Sequence, residues 1–187
     1  EITVEANPGT VDRRRCQGFR AAGINRLSLG IQSFDDAALR RLARIHNRQE
    51  ALAAIEVAYQ AGFDNLNLDL MFGLPAQTIQ AATEDLRIAV SFQPAHLSWY
   101  QLTIEPHTGF YNHPPLGLPE EDFLWEMQTV GQTYLASQGY PQYEISAYAK
   151  VGRRCKHNLN YWKFGDYLGI GAGAHGKISN AAQGTIS

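Results

Sequence analysis

The sequence lacks a basic excess, a long apolar run and any clustering of cysteine. Sixteen Lys and Arg stand against eighteen Asp and Glu, for a net charge of −2. The chain therefore has no cationic surplus of the kind through which nucleic-acid binders release counterions, and DNA and RNA are not expected partners. No stretch approaches the roughly 18–20 apolar residues of a membrane span, and the opening EITVEANP has neither the basic start nor the apolar core of a signal peptide. No transmembrane segment is expected, and the expected location is cytoplasmic. Cys16 and Cys155 stand far apart with no CxxC, which excludes a disulfide framework or an all-cysteine metal site built from this chain alone. Low-complexity segments, linkers and solenoid repeats are absent as well. The sequence opens without Met in a strand-like pattern and closes on the polar SNAAQGTIS, as expected of a piece of a longer chain.

What is present is a recurring strand–helix pattern in 187 residues that are 44% hydrophobic, enough for one sizeable core. Residues 1–5 alternate Ile2 and Val4 against Thr3 and Glu5, the period of a two-faced strand. A helix over 11–22 follows, with Thr10 placed to cap it and Gly23 to close it. RLSLGIQS, residues 26–33, is the second strand, and Ser33-x-x-Asp36 reads as a capping box before a helix carrying Leu39, Leu42 and Ile45 inward. Asn47-x-x-Glu50 opens another helix, which ends at Gly62. NLNLDLMFG (65–73), HLSWYQLTIEP (96–106) and QYEISAYA (142–149) read as further strands, with helices over 79–92 and 120–137 and a Pro-, His- and Gly-rich loop over 106–119. DYLGIGAGAHG, 166–176, reads as a short buried strand running into a glycine-rich turn.

Alternating strands and helices predict an α/β fold with a parallel sheet. Glu5, Gln32, Asn67 and Asp69 fall near strand carboxyl ends on one face, which favours part of a barrel over an open sheet buried on both sides. Because those ends converge on one mouth, Glu5, Gln32 and Asp69 are expected to meet there. Two carboxylates and an amide suit a ligand offering hydroxyls and an ammonium, and Arg44 supplies a fork for a carboxylate. An amino acid attached to a ribose has those groups. The alternative stands beside it: Gln32 and Asp69 satisfy loop backbone, and Arg44 belongs to the solvated stripe Arg40, Arg44, Arg48.

Cys155-x-His157 is too short for a zinc site. HNLNYW, 157–162, sets an imidazole ahead of an amide and two large aromatics, in a segment also holding Tyr143, Tyr148, Phe164 and Tyr167. A flat macrocycle with a His-ligated iron fits such residues, and so does an aromatic core patch with a structural His. Arg13-Arg14-Arg15 reads as the wet side of the first helix. His46, His96, His107 and His113 are placed in loops or at element ends. The turn over 171–176 carries no Lys-Ser/Thr, so it is not a nucleotide triphosphate fingerprint.

The strings EANPGT, RLSLGIQSF, RIHN, NLDLMFGLPAQT, LSWYQLTIEP, HNLNYW and YLGIGAGAHG, in this order across nearly the whole chain, resemble the radical S-adenosylmethionine haem chaperone family, HemW. That family was long labelled oxygen-independent coproporphyrinogen III oxidase-like. The resemblance implies a partial (β/α)6 TIM-like radical-SAM barrel, with 1–187 as one incomplete barrel domain and the haem-motif segment at 142–176. It also implies S-adenosylmethionine on Glu5 (ammonium), Gln32 and Asp69 (ribose hydroxyls) and Arg44 (carboxylate). Haem would lie at the HNxxYW motif, His157, Asn158, Tyr161 and Trp162, with His157 on the iron. The family's [4Fe-4S] cluster sits on a CxxxCxxC loop that this sequence does not contain; its expected place is upstream, and an accessory region is expected downstream. The implied function is haem binding and delivery to acceptor proteins. The alternative is the related oxidase, which converts coproporphyrinogen III to protoporphyrinogen IX.

Overall fold

The computed structural model describes residues 1–180 and 185–186. The chain divides into two compact units, Glu1–Arg153 and Arg154–Ser187.

In the first unit, β1 (Thr3–Ala6), α1 (Arg13–Ala21), β2 (Arg26–Gln32), α2 (Asp36–Arg41), α3 (Arg48–Gln60), β3 (Leu66–Phe72), α4 (Ile79–Ser91) and β4 (His96–Gln101) follow in order. The short α5 (Gly109–Asn112) and the long α6 (Glu121–Ser137) precede a hairpin, β5 (Gln142–Glu144) and β6 (Ala147–Ala149). The sheet runs β1-β2-β3-β4-β6-β5. Its first four strands are parallel and β6 is antiparallel to β4. This is an α/β fold, a partial barrel in which parallel strands alternate with helices.

Strand alternation divides the sheet chemically. Leu27, Leu29, Ile31, Leu66, Leu68, Leu70, Leu97 and Trp99 are fully buried in one core with Ala51, Ile55 and Ala58 of α3, Leu86 and Ala89 of α4, and Met127 and Leu135 of α6. Each such aliphatic side chain contributes about 1.5–3 kcal/mol by leaving water. α6 approaches the sheet closely at Gly131, where a Cβ would overlap the six-membered ring of Trp99. The intervening residues Ser28, Gly30, Asn67, Asp69, Ser98 and Tyr100 occupy the other face, and these carry the polar groups.

Several local expectations hold. Asn47 and Glu50 form the reciprocal capping box of α3, and Gly23 and Gly62 adopt the left-handed conformation after α1 and α3. Others shift. Asp12, not Thr10, caps α1 by accepting from the Arg15 N–H at 2.7 Å. Asp35, not Ser33, caps α2, because the Ser33 hydroxyl is committed to Asp85 at 2.8 Å. α2 stops a turn early: Ala43 turns left-handed (φ 54), and the Arg44 N–H donates back to the Leu39 carbonyl at 3.0 Å. Ile45, placed inward by the spacing, is consequently exposed. Residues 142–149 fold as a hairpin rather than one strand, turning at Ile145 and Ser146.

In the second unit, α7 (Lys156–Trp162) carries HNLNYW. It closes through Phe164 in the left-handed region (φ 56), with the Gly165 N–H donating to the Asn160 carbonyl at 2.8 Å. A short ladder, β7 (Ser179–Asn180) with β8 (Thr185–Ile186), completes the described residues. The expected buried strand over 166–176 does not form. Only Tyr167 bridges, to Lys177, and Leu168 and Ile170 are exposed, since among the described residues no strand pairs alongside them.

Candidate functional site

Parallel pairing brings the polar positions of four strands into register. Glu5 lies opposite Ser28, Ser28 opposite Asn67, and Asp69 opposite Ser98. Gln32 joins this face through a register shift between Leu29 and Gln32 and a left-handed backbone at Gln32 (φ 67). A non-glycine residue held there stores strain that the surrounding structure must impose. The result is a cavity of about 630 Å³ lined by Glu5, Asn7, Arg15, Gln32, Asp69 and Tyr100, among others. Gly30 forms part of its wall; a Cβ there would stand 3.0 Å from Gln32 Nε2 and 3.3 Å from Asn7 Oδ1. The bare backbone keeps that approach open. Glu5, Gln32 and Asp69 thus line one pocket.

Both Asp69 oxygens are occupied from below. Ser28 Oγ donates to Oδ2 at 2.9 Å and Asn67 Nδ2 to Oδ1 at 2.7 Å. Burial nevertheless raises the Asp69 pKa above the ordinary carboxylate value; these bonds oppose the rise and the charge of Glu5 adds to it. Tyr100 donates its hydroxyl to Gln32 Oε1 at 2.7 Å, leaving the Gln32 amide N–H groups to face other partners. Burial, and then the Asp69 charge, push the Tyr100 phenol up, so it stays a neutral donor.

Arg44 lies in the connection after α2 and lines a neighbouring cleft with Arg40, Ile45, His46 and Arg48 rather than the pocket itself. Its charge still reaches the pocket, where it favours ionisation of Tyr100. His46 is buried and fixes this connection, its Nε2 lying 3.0 Å from the Ile31 carbonyl.

His157, Asn158, Tyr161 and Trp162 share α7. Residues four apart lie on one helical face, and the His157 and Tyr161 rings meet edge to face with centroids 4.7 Å apart. Tyr167 packs on Tyr161 at 4.5 Å. His157, Tyr161 and Trp162 are all exposed. Tyr143 and Tyr148 belong to the first unit, where Tyr148 is buried against Trp99 and Tyr143 meets His96.

Sequence reasoning passed over four site residues. Tyr100, Ser98 and His96 alternate on one face of HLSWYQ, so a period of two was the available signal. Arg15, set aside as solvated, lines the pocket, its guanidinium donating to the Thr10 carbonyl at 2.7 Å. Among the described residues no group of three or more His, Cys, Asp or Glu is placed to hold a metal ion.

The radical SAM superfamily matches residues 1–89. A protein of Haemophilus influenzae named heme chaperone HemW is 58% identical over 179 residues, covering 96% of this chain and 46% of its own. The HemW of Escherichia coli is 55% identical over 179 residues, covering 96% and 47%. In structure, the radical SAM enzyme coproporphyrinogen III oxidase (HemN) of Escherichia coli superposes with a TM-score of 0.79 at 24% identity, covering 94% of this chain and 44% of that one. That likeness speaks for the fold. Residues 1–89 are thus similar to the radical S-adenosylmethionine superfamily. Over 179 residues the chain is similar to proteins named heme chaperone HemW, and it spans about half the length of those relatives.

Proposed function

We propose that the pocket between β1 and β4 binds S-adenosylmethionine, and that the protein carrying this chain binds haem at α7 and delivers it to acceptor proteins in the cytoplasm. The convergence of Glu5, Gln32, Asp69 and Tyr100 on one cavity carries the first part. The residues fit the ligand. Two carboxylates face a region suited to an ammonium and hydroxyls, Gln32 is held with its donors free of Tyr100, and Gly30 leaves room for close approach. Arg44 stands beside the pocket to meet a carboxylate that extends out of it. When bound, S-adenosylmethionine supplies a sulfonium centre whose reductive cleavage yields a radical; the residues here bind and orient it. A [4Fe-4S] cluster finds no ligand set among the described residues.

Haem is read as cargo. His157 offers an imidazole on an exposed helix, with Tyr161, Tyr167 and Trp162 supplying aromatic surface within the same unit. Relatives named heme chaperone support that reading. Among the described residues no helix is long and apolar enough to cross a membrane. The test is a side-by-side assay of the full-length protein with haem and with coproporphyrinogen III. A Soret shift on haem titration, lost in His157→Ala, supports the chaperone. Release of carbon dioxide from coproporphyrinogen III, with no haem spectrum, favours the oxidase instead.

A further inference from the structure

We propose that His96 is a positioning residue for the candidate S-adenosylmethionine pocket, acting through Asn67 to hold the Asp69 carboxylate ready for its ligand. This rests on the reading of the pocket given above.

The argument is a count of hydrogens. Asn67 lies two residues before Asp69 on β3, and its amide has two donors and one acceptor oxygen. Nδ2 donates to Ser28 Oγ at 2.7 Å and to Asp69 Oδ1 at 2.7 Å. Oδ1 accepts from Ser98 Oγ at 3.2 Å and from His96 Nδ1 at 2.5 Å. A flipped amide would turn its oxygen toward the Asp69 carboxylate, setting acceptor against acceptor.

Since Asn67 Oδ1 can only accept, His96 must carry its proton on Nδ1. The bare Nε2 then accepts from the Tyr143 hydroxyl, 2.6 Å away. His96 is fully buried at the start of β4, and burial, aided by the charge of Arg26, pushes its pKa down to about 3. The ring is therefore one neutral tautomer throughout the physiological range. With Asn67 locked in this way, its Nδ2 stays on Asp69 Oδ1 alongside the bonds from Ser28 and Ser98, and the carboxylate is held facing the pocket.

The charged and titratable groups that face Asp69 are Glu5 from β1, Arg15 from the wall and Tyr100 from β4, with Arg44 acting on Tyr100 and Arg26 lying by His96. Comparing variants at a single position leaves all of these in place.

The test is calorimetric titration of S-adenosylmethionine into full-length protein reconstituted with iron and sulfide, across pH 5 to 8, for the unsubstituted protein, His96→Phe and His96→Asn. His96→Phe keeps an aromatic ring but removes the donor to Asn67. Its acid limb of binding is expected to move up by about one pH unit, because Asn67, no longer held at Oδ1, can turn and weaken the Nδ2 bond that favours the ionised form of Asp69. In His96→Asn the new amide can donate to Asn67 in place of Nδ1, and the limb is expected to return to within a few tenths of a unit of the original.

An unmoved limb in a folded His96→Phe protein overturns the positioning role, even if its stability has changed. Absence of binding in the unsubstituted protein overturns the reading of the pocket, and this inference with it. Nitrogen-15 imidazole resonances of the unsubstituted protein serve where a variant does not fold. A neutral Nδ1–H ring from pH 5 to 8 supports the assignment, and an Nε2–H tautomer or a titration within that range refutes it.

Discussion

Asp85 of α4 ties that helix to the turn that follows Gln32. Its carboxylate accepts from Ser33 Oγ at 2.8 Å and from the Phe34 N–H at 2.7 Å, so it anchors the backbone that delivers Gln32 to the pocket. Burial outweighs these two bonds and raises its pKa from 3.8 to about 6, with Asp35 adding to the rise and Arg48 opposing it. A carboxyl whose folded pKa lies above its unfolded value stabilises the fold fully below the unfolded value. That contribution is lost as pH rises through the folded one. Two units at about 1.4 kcal/mol each come to nearly 3 kcal/mol over the whole titration, of which about 2.4 is lost between pH 4 and pH 7.

In Asp85→Asn the amide can accept from Phe34 and donate to Ser33 but does not titrate. Urea unfolding of wild type and Asp85→Asn, followed by tryptophan fluorescence at half-unit pH steps, isolates the effect as a difference between two curves. The variant should gain about 2.4 kcal/mol on wild type from pH 4 to pH 7. A difference that stays flat over that range would show that the carboxyl is not held above its ordinary pKa and would refute the reasoning.

Gly131→Ala places a methyl group against the ring of Trp99. A Cβ so deep in the ring puts the cost of overpacking at the upper end, about 3 kcal/mol, and the gain in helix propensity returns about 1, so a net loss of about 2 kcal/mol is expected from urea unfolding. A neutral or stabilised variant contradicts the packing described. Tyr100→Phe frees the Gln32 amide by removing the 2.7 Å bond to its oxygen, and S-adenosylmethionine affinity should fall about three- to tenfold. Unchanged calorimetric affinity would separate Tyr100 from the pocket.

The parts of the fold written locally were legible in the sequence. Period-two alternation located all four parallel strands, Asn47 and Glu50 announced the start of α3, and Gly23 and Gly62 marked two helix ends. The same alternation placed Glu5, Gln32 and Asp69 on a common face, and they line a common cavity.

What escaped depends on partners distant in the chain. Ser33 looks like a cap until Asp85, 52 residues on, takes its hydroxyl. Ala43 takes the left-handed turn usually left to glycine, so nothing in its residue type warned that α2 would end before Arg44 and Ile45. His96 reads as a histidine at an element boundary. Its role appears only when β3 and β4 pair and Asn67 comes within reach, 29 residues away. The strand expected over 166–176 had the right apolar pattern and no neighbouring strand to pair with.

The central claim is that carboxylates from different strands receive S-adenosylmethionine in one pocket. Its most direct measurement is the titration of S-adenosylmethionine into reconstituted full-length protein and its Asp69→Ala variant, with haem-induced Soret absorbance as an internal control. Loss of hydrogen bonds to a charged oxygen predicts at least about a tenfold drop in affinity, with the Soret response intact. Equal affinities for the two proteins would contradict the account.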